Sequence, residues 1–411
     1  MHIAYFSNTY RPVISGVVRS ISSFRSALTQ LGHNVFVFAQ HSNDYEDEEP
    51  FIFRYPAINL PLGGDAPAAI PISPFIDQLI PSLKLDVIHS HHPILVGQVA
   101  AHKAAELDLP LVFTFHSQYS IYTQYFPISQ ETVQDFLKDT IENFVRDYLK
   151  KCQHIIVPSG SMGDILAETY GVENRVSIIP TGIDLKPYRQ ADGETVRHQR
   201  GWGDDVVLIS AGRLAPEKNW ETLVGAVARV IPRHPALRLV LVGDGPEREA
   251  LGKLAKSLGI ASRVEFTGKV PFEEVPNYFK AANLFGFASV TETQGLVTME
   301  AMACGLPVVA VNATGTCDVV TDEVEGLLTD NNVEALGEAI ERMLSQEGIL
   351  GKFREAALQK AAEFDIVKQA NRLVDVYQQA IQDKKNGRFV TISRHKPVHD
   401  SYGAQQTETG N

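Results

Sequence analysis

Cysteine is scarce. Only Cys152, Cys304 and Cys317 occur in 411 residues, an odd number at no metal-ligand spacing, so a reducing cytoplasm is the expected setting and no metal is implied. Long apolar runs are missing too, since none approaches the roughly 20 residues that cross a bilayer. Any membrane contact is therefore expected to be peripheral. No basic block offsets the net charge of −12, which argues against extended contact with nucleic acid. Residues 1–6 lack the basic flank and cleavage site of a signal peptide and read as a first buried strand. A dinucleotide fingerprint is also lacking. Gly243-Asp244-Gly245 follows a strand-like run, but the third glycine is absent and Pro246 comes next, which disfavours an NAD enzyme.

What is present is a soluble, globular pattern with 44% hydrophobic residues, long enough for two α/β domains of about 150–200 residues each. In the first half, apolar runs at residues 3–6, 34–39, 86–89, 110–116 and 154–158 alternate with helical patterns. A second series runs through 206–210, 237–243, 264–268, 284–288 and 307–310. Continuous rather than alternating apolar runs predict strands buried on both faces, hence two doubly wound parallel sheets facing a cleft. The expected division is an N-terminal domain at 1–186 and a second at 187–365, with a hinge in the polar stretch 179–203. A helix at 366–385 would cross back to the first domain, and a polar tail at 386–411 would be disordered. The acidic run 43–49 reads as a solvated loop, and the amphipathic pattern at 131–151 as a helix packed on the first domain.

The richest stretch is 289–310, which reads as strand end, loop, short helix, glycine stop and buried strand. It carries Glu292 in the loop and Glu300 on the helix. A helix starting near Gly295 would aim free N–H groups and a positive dipole end at a phosphate. Glu300, a little over one turn further on, would accept hydrogen bonds from vicinal hydroxyls such as those of a ribose. A nucleotide sugar offers both groups. In 212–219, Arg213 and Lys218 either converge on a diphosphate or belong to a surface loop with a Glu217–Lys218 pair. Gly16 would allow close backbone approach to a phosphate. His89, His91 and His92 make a poor metal set, so His91 is either a hydrogen-bonding residue of the cleft or structural. His116 opens a tyrosine-rich segment with Tyr119 and Tyr122, which either packs on the domain or lines an acceptor site.

With the motifs 179–184 (Ile-Pro-Thr-Gly-Ile-Asp), Gly212-Arg213-Leu214, Lys218-Asn219 and 305–309 (Gly-Leu-Pro-Val-Val), the pair Glu292 and Glu300 resembles retaining glycosyltransferases of family 4, over roughly residues 1–384. The resemblance implies the GT-B fold and a UDP-sugar donor that is substrate rather than cofactor, with no metal. It implies a catalytic set of Glu292, His91, Arg213 and Lys218, and a donor site of Gly16, Arg213, Lys218, Val270, Glu292, Gln294, Gly295, Leu296, Val297 and Glu300. Within the family, residues 291–295 and 113–125 look most like bacterial diacylglycerol glucosyltransferases and their sulfoquinovosyl relatives, with His116, Tyr119 and Tyr122 at the acceptor. Ser117 departs from the usual threonine, and Val13-Ile14-Ser15-Gly16 from the usual asparagine-glycine pair. The implied activity is transfer of a hexose, glucose first, to diacylglycerol or a glycolipid at the cytoplasmic membrane face. A soluble acceptor, a nucleotide-sugar epimerase and a sugar-nucleotide-binding regulator remain as alternatives.

Overall fold

A computed structural model describes residues 1–42, 45–58, 68–119 and 131–393. Its first sheet has seven parallel strands in the spatial order Ile52–Tyr55, Asn34–Gln40, His2–Ser7, Val87–Ser90, Leu111–Thr114, His154–Val157, Val176–Ile178. The second has six, ordered Val264–Gly268, Leu237–Val242, Val206–Ala211, Leu284–Phe287, Val308–Val311, Gly326–Thr329. Central strands such as Leu284–Phe287 and Val308–Val311 are buried throughout, because helices cover both faces of each sheet.

Each sheet changes winding direction once, at its centre. In the first, this happens between His2–Ser7 and Val87–Ser90; in the second, between Val206–Ala211 and Leu284–Phe287. Ligands of open parallel sheets sit beyond the carboxyl ends of the strands at such points. The loops there are 8–15 and 91–95 in the first half, 212–219 and 288–295 in the second.

The chain crosses between the halves twice, side by side. Ile183 N–H donates to Phe364 O (2.8 Å), and Ile366 N–H donates to Ile183 O (3.0 Å). A side chain at Gly182 would place its Cβ 2.5 Å from Ile366 Cα, so only glycine fits this junction. The polar stretch after it is helical rather than irregular. Asp184 caps the helix Leu185–Arg189 and Asp192 caps Gly193–Arg200, each through its side chain, which supplies the start signals that apolar periodicity lacked.

The long helix Ile366–Lys385, capped by Asp365, lies against the first sheet. Its Ala370, Leu373, Tyr377 and Ala380 join Ile3, Tyr5, Ile21 and Phe24 in one apolar cluster. Tyr377 Oη donates to Tyr5 Oη at 3.1 Å and lies 2.7 Å from His89 Nδ1, so even the polar ends of this contact are satisfied.

Two expectations differ from what the structure holds. The described part of the acidic run is pinned rather than solvated: Arg54 Nε donates to Asp47 Oδ2 (2.8 Å), and Arg25 pairs with Glu49 (2.6 Å). The tail expected to be disordered from residue 386 is tied down over its described part, 386–393: Val390 is buried and its N–H donates to Cys152 O at 3.0 Å, and Ser393 N–H donates to Gly171 O at 2.8 Å. The helix Glu131–Leu149 packs on the first half as expected, through Val145, Tyr148 and Leu149, while Phe136 stays 69% and Phe144 42% exposed.

Candidate functional site

The two loops at the second sheet's switch point meet through charge. Lys218 Nζ is ion-paired with Glu292 Oε1, and Ser289 Oγ donates to the same oxygen at 2.9 Å. Ser289 is buried, which fixes the carboxylate from below. Asn219 adopts a left-handed conformation (φ 55°) and donates from Nδ2 to Ala288 O (3.0 Å), tying one loop to the other. Arg213 is exposed, with no ion-pair partner among the described residues, while its carbonyl accepts from Trp220 Nε1 at 3.0 Å.

The glycines that looked like a broken dinucleotide fingerprint support this loop. A Cβ on Gly243 would lie 2.0 Å from Gly212 O, and one on Gly245 would lie 2.3 Å from Leu214 O. Backbone packs directly on backbone there, so the cationic loop holds its shape. Gly245→Ala is expected to push the loop outward, lowering stability by about 1–3 kcal/mol through overpacking. Denaturant unfolding measures the loss, and a variant that keeps the wild-type value would show the contact to be unimportant.

Gly295 (φ 72°) precedes the helix Leu296–Ala303, whose N-terminus receives no side-chain cap. Its left-handed turn, 3.2 Å from Gly315 O at the position a Cβ would take, requires glycine. Leu296 and Val297 thus present the first helical N–H groups, and a Cβ on Gly16 of the opposing half would lie 3.8 Å from Leu296 Cδ1. Val270 is half-buried on the same core, after the strand Val264–Gly268. One turn into the helix, Glu300 is 2% exposed and ion-paired with Arg19, which comes from the first half's helix Gly16–Gln30. Arg19 Cζ also sits 4.4 Å above the Phe272 ring, and the buried Tyr188 interacts electrostatically with both Arg19 and Glu300. Burial and the Glu300 charge push that phenol up, so Tyr188 stays neutral.

Gln294 is placed differently from its neighbours. It is buried, its Oε1 accepts from Thr181 N–H (2.8 Å), and its Nε2 donates to Thr181 O (3.0 Å). This side chain clamps the crossing between the halves. Ser159 Oγ, donating to Thr293 O at 2.7 Å, holds the same loop from the first half.

His91 follows Val87–Ser90 and is buried in a stack of imidazoles, between His89 (4.3 Å) and His116 (5.3 Å). Its Nδ1 lies 3.0 Å from His116 Nε2, and its Nε2 has no partner. His89 and His91 border a cavity of about 10 Å³, shared with Ser20, Thr114 and Thr181, about the space of one water. Burial lowers the pKa of all three histidines, His89 to about 3, so they are neutral and serve as hydrogen-bonding groups. Tyr119 is buried edge-on to Phe115 (5.5 Å), within the first half's core. Tyr122 lies outside the described residues.

The structure therefore gathers Lys218, Glu292, Gly295, Leu296, Glu300 and Gly16 around one cleft. Arg19, Tyr188 and Ser289 were missed by reading the sequence. Arg19 carried a usable signal, since it lies three residues after Gly16 and hence on the same helix face. Tyr188 carried none. Among the described residues, no group of three or more His, Cys, Asp or Glu is placed to hold a metal ion, and no helix is long and apolar enough to cross a membrane.

Residues 14–187 match the family described as Glycosyltransferase Family 4, and residues 192–363 match Glycosyl transferases group 1. An alpha-monoglucosyldiacylglycerol synthase of Streptococcus pneumoniae is 30% identical, over 84% of this chain and 79% of its own length. The protein of the same name from Acholeplasma laidlawii is also 30% identical, over 87% and 92%. Among solved structures, Anabaena HepE in complex with UDP superposes with a TM-score of 0.73 over 92% of this chain and 100% of that one, at 21% identity, a likeness of fold.

Proposed function

The chain belongs to glycosyltransferase family 4, with its GT-B fold, and on that footing we propose that this glycosyltransferase moves glucose from UDP-glucose to diacylglycerol or a glycolipid, with retention, at the cytoplasmic membrane face. One observation carries the donor half of the reading: two carboxylates, Glu292 and Glu300, each held by a cation, flank an uncapped helix N-terminus at the switch point. That geometry suits a diphosphate between a ribose and a hexose. Glu300 takes the ribose hydroxyls, Glu292 the hydroxyls of the sugar, and the N–H groups of Leu296 and Val297 face the phosphates. Lys218 and Arg213 neutralise the charge that grows on the diphosphate as the glycosidic bond breaks, so the site asks for no metal. His91, whose buried Nε2 has no partner among the described residues, would act on the sugar only if its side chain turned towards the cleft. The acceptor attacks from the face the diphosphate leaves, and a diphosphate oxygen takes its proton.

Support for the lipid acceptor is of two kinds. The similar proteins of Streptococcus and Acholeplasma bear the name of a diacylglycerol glycolipid synthase. The first half also exposes Phe75 (67%), Ile72 (67%) and Phe136 (69%), apolar groups suited to a lipid surface.

UDP release from UDP-glucose, measured with diacylglycerol micelles, with a soluble sugar and with neither, tests the reading. Release that needs the micelles supports it; release with the soluble sugar alone moves the acceptor to solution; epimerised UDP-sugar without acceptor ends it. Glu300→Gln keeps the shape but removes the charge that accepts the ribose hydroxyls, so UDP binding is expected to weaken by about 1–3 kcal/mol, read by calorimetric titration. Unchanged affinity would place the ribose elsewhere.

A further inference from the structure

Arg19 stands in the donor site without a task in the mechanism above. It reaches across the cleft from the first half, and its partner Glu300 is 2% exposed on the second. A carboxylate so deeply buried needs either a counter-ion or several hydrogen bonds to its charged form, because leaving it with neither costs far more than the pair is worth. A ribose supplies only neutral hydroxyls. It can take over hydrogen bonds to Glu300 but brings no positive charge, whereas the diphosphate attached to it brings negative charge into the same cleft.

The geometry gives Arg19 a second place to go. It lies three residues after Gly16, on the same face of Gly16–Gln30, and Gly16 abuts Leu296 at the uncapped helix start. Glu300 lies four residues beyond Leu296, so the phosphate position and the present guanidinium position are about one helical turn, roughly 5 Å, apart. The long, planar guanidinium spans such a distance by rotating its side chain and pairs with phosphate oxygens through two parallel N–H bonds. Phe272, which the guanidinium covers at 4.4 Å, is 55% exposed, so this contact does not enclose the arginine.

We propose that Arg19 is a third cation of the donor diphosphate: it pairs with Glu300 and turns to the phosphates when a donor's ribose takes Glu300. The exchange keeps Arg19 paired throughout and makes donor binding draw the two halves together. It also makes recognition selective for a nucleoside that carries its phosphates, since a bare nucleoside must displace Arg19 with no anion to receive it. This inference rests on the donor reading proposed above.

Calorimetric titration of the full chain and of Arg19→Ala with UDP and with uridine tests it, at low and high salt. For the variant, UDP affinity is expected to fall roughly 10-fold or more and its salt dependence to flatten, while uridine binds as well as before or more tightly. Arg19→Lys keeps a charge without the fork and is expected to recover part of the UDP affinity. Equal losses for UDP and uridine would reduce Arg19 to a structural tie between the halves. Tighter binding of both would make it only a competitor of the ribose. Either result overturns the proposal. If the unaltered chain binds neither ligand, the donor reading itself falls and takes this inference with it, a failure visible before any variant is made.

Discussion

Lys218→Ala is expected to lower the turnover of UDP-sugar by about 10²–10³-fold, with a much smaller change in the affinity for UDP. The asymmetry follows from when the charge is needed. On the proposed donor reading, the ground-state diphosphate is already shared among the helix N-terminus, Arg213, Arg19 and solvent, whereas the leaving diphosphate gains charge only as its bond to the sugar breaks. A preorganised cation aimed at that growing charge acts on the transition state, where removing one such donor typically costs about 3–4 kcal/mol. Removal of Lys218 also leaves Glu292, a half-buried carboxylate, with Ser289 Oγ as its remaining recorded side-chain partner. That carboxylate would then repel the diphosphate beside it, which adds to the loss. Glu300→Gln touches the ribose end and should weaken donor binding with a smaller effect on turnover. The comparison is made by steady-state kinetics at saturating donor for both variants. Turnover that survives the loss of Lys218, or equal kinetic changes in the two variants, would remove Lys218 from the bond-breaking step.

The same two ion pairs explain how a site with so much charge remains stable. Lys218 neutralises Glu292 within one half, and Arg19 neutralises Glu300 from the other. On the proposed donor reading, a ligand that carries hydroxyls and phosphates would pass Glu300 from a cation to hydrogen-bond donors and Arg19 from a carboxylate to a phosphate, so neither group would be left without a partner. Gln294 on the Thr181 backbone and Ser159 on Thr293 O keep the loop that bears Glu292 in register with the opposite half. The binding loop and the crossing between the halves are thereby mechanically one unit.

Both sheets were readable in the sequence wherever a strand is buried on both faces, because an unbroken apolar run has few other uses at that length. The strands that escaped are edges: Ile52–Tyr55 and Val176–Ile178 are mostly half-buried and carry polar residues, and Gly326–Thr329 follows an acidic turn. These edge strands bury too little to leave a continuous pattern, whereas the edge strand Val264–Gly268, also half-buried, was legible from its alternating Val264 and Phe266 and its closing glycine. Likewise Glu292, Gly295 and Glu300 were legible because a loop, a glycine and a helix bring them together within nine residues of chain. Arg19 and Glu300 are 281 positions apart, a contact that only the mutual placement of two halves creates. Gln294 shows the opposite difficulty. Its neighbours in sequence line the cleft, yet the left-handed turn at Gly295 sends it to the far side, onto Thr181.

Stability should fall steeply as pH drops from 6.5 towards 5. His89, His91 and His116 are stacked in the first half, and His154 begins a strand of the same sheet with Nδ1 unpartnered. All four are buried, and burial lowers each pKa, to about 3 for His89 and about 4 for His154. In the unfolded chain the same imidazoles titrate near the ordinary value of about 6.5. Between the two values the unfolded state binds more protons than the folded one, so stability rises with pH there and is complete above about 6.5. One unit below that point each neutral imidazole has cost about 1.4 kcal/mol, and four together on the order of 5 kcal/mol. That is as large as the whole stability of many domains, which lies at about 5–15 kcal/mol. Glu142 and Glu247, whose carboxyls burial pushes up, act in the opposite direction, but two carboxyls do not balance four imidazoles. Urea unfolding at pH 7.5 and 5.5, followed by far-UV circular dichroism, is expected to show the midpoint collapsing at the lower pH. Equal midpoints would mean that the histidines charge within the fold, and the stack around His91 would then be a cluster of cations instead of a neutral buried one.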